Sequence, residues 1–130
     1  MKKTVFLWIS SMFLLMFTLS AQEVPTGIDV AFKKGSAQEL AKYMADKVDL
    51  IVLNKASNFG KSQAENAMTT FFAENKVNGF TVNHQGKRDE SSFIVGTLTT
   101  SNGSFRVNCF LKRLENKYLI HQIRIDKTNE

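Results

Sequence analysis

The chain has 130 residues and a net charge of +5, from 17 basic and 12 acidic side chains. This length suits one domain, because two cores cut from it would each be too small to be stable. The small charge argues against nucleic acid as a partner, and a single cysteine, Cys109, excludes an intramolecular disulfide.

The beginning of the chain has the pattern of a secretory signal peptide. Lys2 and Lys3 supply positive charge, the stretch from Val5 to Leu19 is mostly apolar, and small side chains lead to Ala21, the predicted cleavage point. The alternative is an uncleaved anchor, but roughly 15 apolar residues fall short of the ~20 that a spanning helix needs. We therefore predict a signal peptide over residues 1–21 and no stable membrane span after its removal.

The mature chain, residues 22–130, is predicted to begin with two short helices. Pro25 suits the first turn of the first helix, and Gly35 suits the left-handed position that ends it. Ser36 and Glu39 have the spacing of a capping box that opens the second helix. The apolar side chains that share a face are Ile28, Ala31 and Phe32 in the first helix and Leu40, Tyr43 and Met44 in the second.

A strand and a longer helix follow. Residues 48–53 form an apolar run typical of a strand, and residues 54–59 are predicted to be a turn or loop. Ser62 and Glu65 repeat the capping-box spacing. The helix that they open is the clearest in the chain and is predicted to end near Asn75, because one face collects Ala64, Ala67, Met68, Phe71 and Phe72.

From Gly79 onward the apolar period becomes two, which indicates strands. Phe80, Val82 and His84 share a face of the first of these strands, and residues 86–91 form a polar connection. Residues 92–100 alternate poorly, so this strand is predicted to be buried on both sides. Asn102 and Gly103 then mark a tight hairpin turn.

The last two strands alternate more clearly. The first of them places Phe105, Val107, Cys109 and Leu111 on one face, which predicts a buried, inert thiol. The final strand is predicted to point Leu119, His121, Ile123 and Ile125 inward and Tyr118, Ile120, Gln122 and Arg124 outward. The predicted class is α+β, with N-terminal helices packed on a curved antiparallel sheet in the order α-α-β-α-β-β-β-β.

Several motifs resemble one family of small secreted bacterial proteins, the domain of unknown function numbered 4783. They are Ala31-Phe32-Lys33-Lys34-Gly35, Gly60-Lys61-Ser62-Gln63-Ala64-Glu65, Phe71-Phe72, His84-Gln85-Gly86, Val95-Gly96-Thr97-Leu98, Asn102-Gly103-Ser104-Phe105-Arg106-Val107 and the stretch from Tyr118 to Ile125. The resemblance implies a nuclear transport factor 2-like (cystatin-like) cone and a soluble protein in the periplasm or outside a Gram-negative cell. It implies no known activity and no catalytic residues.

The two histidines are the main candidates for chemistry. By alternation His84 and His121 both face the interior of the cone, where two imidazoles could transfer protons. The alternative is that each is a partly buried histidine bonded to a neighbour. No spacing provides a third ligand, so we predict no metal and no cofactor. Tyr43 or Arg88 could orient a substrate, and the candidate pocket comprises Tyr43, Phe72, His84, Arg88 and His121.

Two functional hypotheses follow. The favoured one is a non-catalytic module of the cell envelope that binds a small ligand or a protein, because the cone interior is mostly aliphatic and aromatic. The alternative is a small lyase, isomerase or hydrolase that uses His84 and His121. Phe110 and Ile120 are predicted to form an apolar patch on the outer face of the sheet, through which two copies could pair as a homodimer.

Overall fold

A computed structural model describes residues 27–128. The predicted signal peptide at residues 1–21, its cleavage point and Pro25 lie outside these described residues. Three helices and six strands occupy the described range. They are α1 (Gly27–Lys34), α2 (Ala37–Ala41), β1 (Met44–Val52), β2 (Lys55–Gly60), α3 (Lys61–Glu74), β3 (Val77–Arg88), β4 (Ser91–Thr100), β5 (Gly103–Leu114) and β6 (Lys117–Lys127).

The six strands form one sheet in the order β2-β1-β6-β5-β4-β3. Neighbouring strands are antiparallel except β1 and β6, which are parallel. The helices cover the inner face, where the buried apolar side chains collect. The predicted α+β class with a curved sheet is confirmed, although the sheet gains one strand relative to the predicted order.

The end of α1 follows the prediction closely. Gly35 has a φ of +64°, the left-handed region that glycine enters without strain. Its N–H donates to the carbonyl of Phe32 at 3.1 Å, and the N–H of Ser36 donates to that of Ala31 at 3.0 Å. The Ser36 hydroxyl then accepts from the N–H of Glu39 at 3.2 Å. One short turn thus ends α1 and caps α2.

Helix α2 is shorter than its apolar stripe predicted. It ends at Ala41, and Met44 already belongs to β1. The carbonyl of Tyr43 accepts from the N–H of Ile120 at 2.7 Å, where β1 meets β6. This strand pairing competes with the helix and prevails, so the predicted extension of α2 through Tyr43 and Met44 is wrong.

The segment predicted as a loop, residues 54–59, is mostly strand β2. Leu53 and Asn54 have φ values of +50° and +72° and join β1 to β2 in a two-residue turn. These angles define the type I′ turn that suits a hairpin. The prediction failed because β2 lies at the edge of the sheet, where polar residues are tolerated and alternation is weak.

Helix α3 begins earlier than predicted. Gly60 is its N-cap, and the N–H of Gly60 donates to the side-chain oxygen of Gln63 at 3.1 Å. The predicted capping box of Ser62 and Glu65 is therefore wrong, since Ser62 already lies inside the helix. The predicted end is confirmed, because Asn75 is the C-cap and donates its backbone N–H to the Phe71 carbonyl at 2.9 Å.

Aromatic contacts tie α3 to α1 and to the sheet. Phe71 lies edge-on to Phe105 of β5, with ring centres 5.3 Å apart. Phe72 lies edge-on to Phe32 of α1 at 6.2 Å, and Phe32 stacks on Phe80 of β3 at 4.9 Å. Such pairs contribute about 0.5–1.5 kcal/mol each beyond the area they bury. They position α3 over the concave face of the sheet.

Strand β4 is buried on one face only. Ile94 and Leu98 lie in the core, whereas Phe93 on the other face is 39% exposed, so the prediction of a strand buried on both sides is wrong. The ring of Phe93 lies over Gly86 of β3, its cross-strand partner. The polar connection predicted at residues 86–91 shrinks to a two-residue turn at Asp89 and Glu90.

A β-bulge in β3 determines where His84 points. Val82 pairs with Gly96 and His84 pairs with Val95, so Asn83 is an extra residue in β3. Gly96 is buried, whereas Val95 belongs to the outer face. His84 is therefore exposed on the outer face of the sheet, and the prediction that it faces the interior is wrong.

A second β-bulge, in β6, does the same for His121. Leu111 pairs with Ile120 and Phe110 with Gln122, so His121 is the extra residue. The side chains of His121 and Gln122 therefore both point to the outer face of the sheet, as the side chain of Phe110 does. The predicted faces at the start of β6 are consequently reversed: Tyr118 and Ile120 are buried and Leu119 is only half-buried, while Ile123 and Ile125 are buried as predicted.

Alanine substitutions at two glycines in neighbouring strands, Gly96 in β4 and Gly79 in β3, test this packing. A Cβ on Gly96 would lie 2.4 Å from the Phe80 ring and 2.7 Å from the Thr81 carbonyl, whereas a Cβ on Gly79 meets nothing within 4 Å. Gly96→Ala should lower the free energy of unfolding by about 1–3 kcal/mol. Gly79→Ala, the matched control, should leave it unchanged or raise it by up to about 1 kcal/mol. Urea unfolding of both variants measures this, and equal stabilities would contradict the described packing.

Candidate functional site

An apolar cleft opens between the β1–β2 hairpin and α3. Its volume is about 310 Å³. Strand β2 leads into α3 at Gly60, so the strand and the helix run back along each other and form its two sides. The lining is apolar at Leu50, Val52, Leu53, Phe59, Ala67 and Phe71 and polar at Lys55, Ser57, Thr70 and Glu74.

Each side of the cleft is set by the periodicity of its element. On β2, Lys55, Ser57 and Phe59 are alternate residues and share one face of the strand. On α3, Ala67, Thr70, Phe71 and Glu74 follow the i, i+3, i+4, i+7 spacing of one helical face. The hairpin and the helix therefore supply the lining without any irregular loop.

The base of the cleft is formed by core residues and its rim by exposed ones. Phe71 belongs to the cleft and also to the core, where its ring packs against Phe105. Lys55 and Glu74, both exposed, lie at the hairpin end of the cleft. Leu53 is 50% exposed at the same end and sits at a positive φ, which is costly for a leucine. An apolar ligand with a polar group at one end matches this arrangement.

None of the five predicted candidate residues lines this cleft. Tyr43 packs over Gly27 at the start of α1, and Phe72 lies in the core between Phe32 and Phe71. His84 and His121 lie on β3 and β6, with β5 and β4 between them. Three interstrand spacings therefore separate the strands of the two histidines by about 14 Å.

Arg88 lies elsewhere, in a second surface cleft of about 400 Å³. This cleft lies where the β3–β4 turn meets the end of β5, and the N–H of Arg113 donates to the Glu90 carbonyl there at 2.7 Å. Its lining mixes both signs of charge: Arg88, Asp89, Glu90, Ser91, Lys112, Arg113 and Leu114. None of the other four candidate residues lines this second cleft.

The cleft residues on the hairpin were missed because their segment was predicted to be a loop. One signal was available: Leu53-Asn54 separates an apolar run from Ala56, Asn58 and the aromatic Phe59, and an asparagine is common in a two-residue hairpin turn. Recognising that turn would have placed Lys55, Ser57 and Phe59 on one strand face.

Cys109 is buried on the inner face of β5, as predicted. Complete burial raises the pKa of its thiol to about 12. The thiolate needed for nucleophilic attack is therefore scarce at neutral pH. The described structure thus supports the predicted packing role for this cysteine.

His121 has a polar environment on the outer face. Its partial burial lowers its pKa below the usual 6.5, and the nearby positive charge of Lys112 lowers it further, while the carboxylate of Asp49 acts in the opposite direction. Asp49 also accepts a hydrogen bond from the Asn58 amide at 2.7 Å.

Between residues 27 and 128, no group of three or more His, Cys, Asp or Glu side chains could hold a metal ion. No helix in that same range is long and apolar enough to cross a bilayer.

A curved sheet that wraps one long helix, with a cleft at the sheet edge, defines a cone-shaped α+β domain of the nuclear transport factor 2-like and cystatin-like class. A protein of Nostoc punctiforme with a cystatin-like fold superimposes on it with a TM-score of 0.63 at 10% identity, covering 80% of this chain and 72% of that chain. More specifically, the family model for the domain of unknown function DUF4783 matches residues 25–126. The chain belongs to that family.

Crystal structures of DUF4783 family proteins from two Bacteroides species are especially similar. The Bacteroides ovatus protein is 64% identical with a TM-score of 0.82, covering 84% of this chain and 99% of that chain. The Bacteroides uniformis protein is 59% identical with a TM-score of 0.80, covering 83% and 100%. Comparison with curated proteins gives no match.

We expect His121 to make stability depend on pH. A lowered pKa means that the unfolded chain takes up the proton first as the pH falls below 6.5. Stability should therefore fall from pH 6.5 down to the folded-state pKa and then level off, with no contribution above pH 6.5. Urea unfolding at pH 7.5 and 5.5 should give a larger loss for the parent protein than for His121→Gln. Equal losses would contradict the environment described for this imidazole.

Proposed function

We propose that this protein is an exported, non-catalytic binding module that holds a small, largely apolar ligand in the cleft between the β1–β2 hairpin and α3. The observation that carries the proposal is the lining itself. Six of its ten residues are apolar, and the polar groups stand around them rather than converging on one point. Ligand sites of small proteins are commonly apolar concavities with a few polar groups at the edge.

Location is part of the proposal. The positive charge, apolar stretch and small residues of the predicted leader support export to the periplasm or beyond the cell. We expect the protein expressed from the full sequence to leave the cytoplasm and to begin at Gln22. Mass spectrometry of the envelope and medium fractions measures both outcomes.

The enzyme alternative has less support. It needs His84 and His121 in one cavity, with Tyr43 or Arg88 beside them, and the outward direction of both histidines separates them from the apolar cleft. The titratable side chains that do line the cleft are Lys55 and Glu74, both exposed at its rim.

Filling the cleft should abolish binding there. Thr70 lines the cleft, whereas its neighbour Thr69 does not, and both are exposed on α3. Each hydroxyl donates to the carbonyl four residues earlier, at 3.2 Å for Thr70 and 2.9 Å for Thr69. Thr70→Trp and Thr69→Trp therefore lose the same helix bond and gain the same bulk, but only one of them fills the cleft.

The probe is 8-anilinonaphthalene-1-sulfonate, an apolar dye with one anionic group, followed by fluorescence titration. We expect one site per chain in the parent protein and in Thr69→Trp. The affinity of Thr70→Trp should fall by at least about tenfold, equivalent to about 1.4 kcal/mol. Equal dye binding by all three proteins would place the binding elsewhere and refute the proposed site.

The outer face of the sheet offers a second surface. The predicted patch of Phe110 and Ile120 changes, because Ile120 is buried and Phe93 takes its place. Phe93 and Phe110 are cross-strand partners on β4 and β5 and are 39% and 37% exposed. An aromatic pair of this kind is self-complementary, since a second copy presents the same two rings across a twofold axis. We propose a homodimer through this face.

Charge inserted into the aromatic pair should weaken the dimer. Phe110→Lys places an ammonium group in the patch, and we expect the dissociation constant of the dimer to rise by at least about tenfold. Thr81→Lys adds the same charge to the same face near the β3 edge and should have little effect. Sedimentation equilibrium measures both, and a monomeric parent protein at millimolar concentration would refute this surface.

A further inference from the structure

Strand β2 lies at the edge of the sheet beside the cleft. Within residues 27–128 it pairs with β1 only, so one of its two sides has no strand partner there. Its inward side chains, at Lys55, Ser57 and Phe59, line the cleft. Whatever pairs with this edge therefore also lies over the opening of the cleft.

The register shows which backbone groups of β2 face away from β1. The type I′ turn at Leu53 and Asn54 makes Val52 and Lys55 a hydrogen-bonded pair. Antiparallel pairs alternate between bonded and non-bonded. Lys55, Ser57 and Phe59 therefore bond to β1, and the backbone N–H and C=O groups of Ala56 and Asn58 point to the edge.

A side-chain contact at the end of β2 agrees with this register. Gly60 has the same parity as Ala56 and Asn58, and its N–H donates to Gln63 at 3.1 Å rather than to its cross-strand partner Lys47. The two remaining edge residues, Ala56 and Asn58, present two donors and two acceptors with a two-residue spacing. An extended backbone matches this pattern.

We propose that the β2 edge binds an extended peptide, which adds an antiparallel seventh strand and inserts an apolar side chain into the cleft. This inference rests on the binding role proposed for the cleft and names the class of ligand. Backbone hydrogen bonds to Ala56 and Asn58 supply affinity, and the apolar lining around Phe59 and Phe71 selects the inserted side chain.

Charge favours an acidic peptide over a second copy of this chain. Lys55 begins the strand and Lys61 immediately follows it, and both are exposed. Two β2 strands paired antiparallel would bring Lys55 of each copy to the Lys61 end of the other, so like charges would meet at both ends. Acidic residues at the ends of a bound peptide would instead bring opposite charges close to Lys55 and Lys61.

The probe is a capped heptapeptide, Glu-Val-Thr-Phe-Thr-Val-Glu. In an added antiparallel strand its Val, Phe and Val side chains face the cleft, and its two threonines direct their N–H groups to β2. N-methylation of both threonines should weaken binding at least about tenfold, while N-methylation of the phenylalanine, whose N–H faces solvent, should change it less than about threefold. Isothermal titration measures the three affinities with the unmodified protein.

The matching protein variants are Ala56→Pro and Ala56→Thr. Proline removes the edge donor without removing a bond to β1, and threonine keeps the donor. We expect Ala56→Pro to bind the heptapeptide at least about tenfold more weakly and Ala56→Thr to bind it normally. On peptide addition, the amide hydrogen exchange of Ala56 and Asn58 in the parent protein should slow at least about tenfold.

The dye titration separates this inference from the proposed function. If the dye binds and Thr70→Trp blocks it, but the heptapeptide binds no better than its threonine-methylated form, the peptide inference is overturned and the cleft remains a binding site. If Thr70→Trp leaves dye binding unchanged, the proposed function fails. A dimer that Ala56→Pro converts to monomer would identify a second copy as the occupant and overturn the peptide inference.

Discussion

The contact between α3 and the concave face of the sheet is the constraint on which the rest of the structure depends. Phe71 and Phe72 join this helix to β5 and α1, and Phe32 extends the contact to β3. These two phenylalanines lie in the C-terminal part of α3, and the same part of the helix lines the cleft beside β2. The core and the candidate site are thus two sides of one helix, with Phe71 shared between them.

Elements with a strong apolar period were predictable from the sequence, and those determined by long-range pairing were not. The buried face of α3 and the inward residues of β5 follow periods that burial alone imposes. The early end of α2 depends on β6, a partner distant in sequence, whereas β2 is an edge strand whose polar residues alternate weakly. Local patterns carry little information about such partners.

The candidate site was harder to predict than the fold. Two bulges turn His84 and His121 outward, and strict alternation cannot represent an extra residue in a strand. In β6 the inserted residue leaves a trace, because the buried residues Ile120 and Ile123 are three positions apart. The cleft residues on β2 leave a weaker pattern in the sequence. Side chains of an edge strand are not required to pack in the core, so their apolar alternation is weak.

The bulges also bear on how this sheet can change during evolution. Removing one residue from a strand usually inverts the faces of all that follows and empties the core. At Asn83 or His121 a deletion would restore plain alternation, with Val82 and Gln85 or Ile120 and Ile123 keeping their sides. These two positions are therefore places inside the sheet where sequence length can vary among descendants while the hydrophobic interior is preserved.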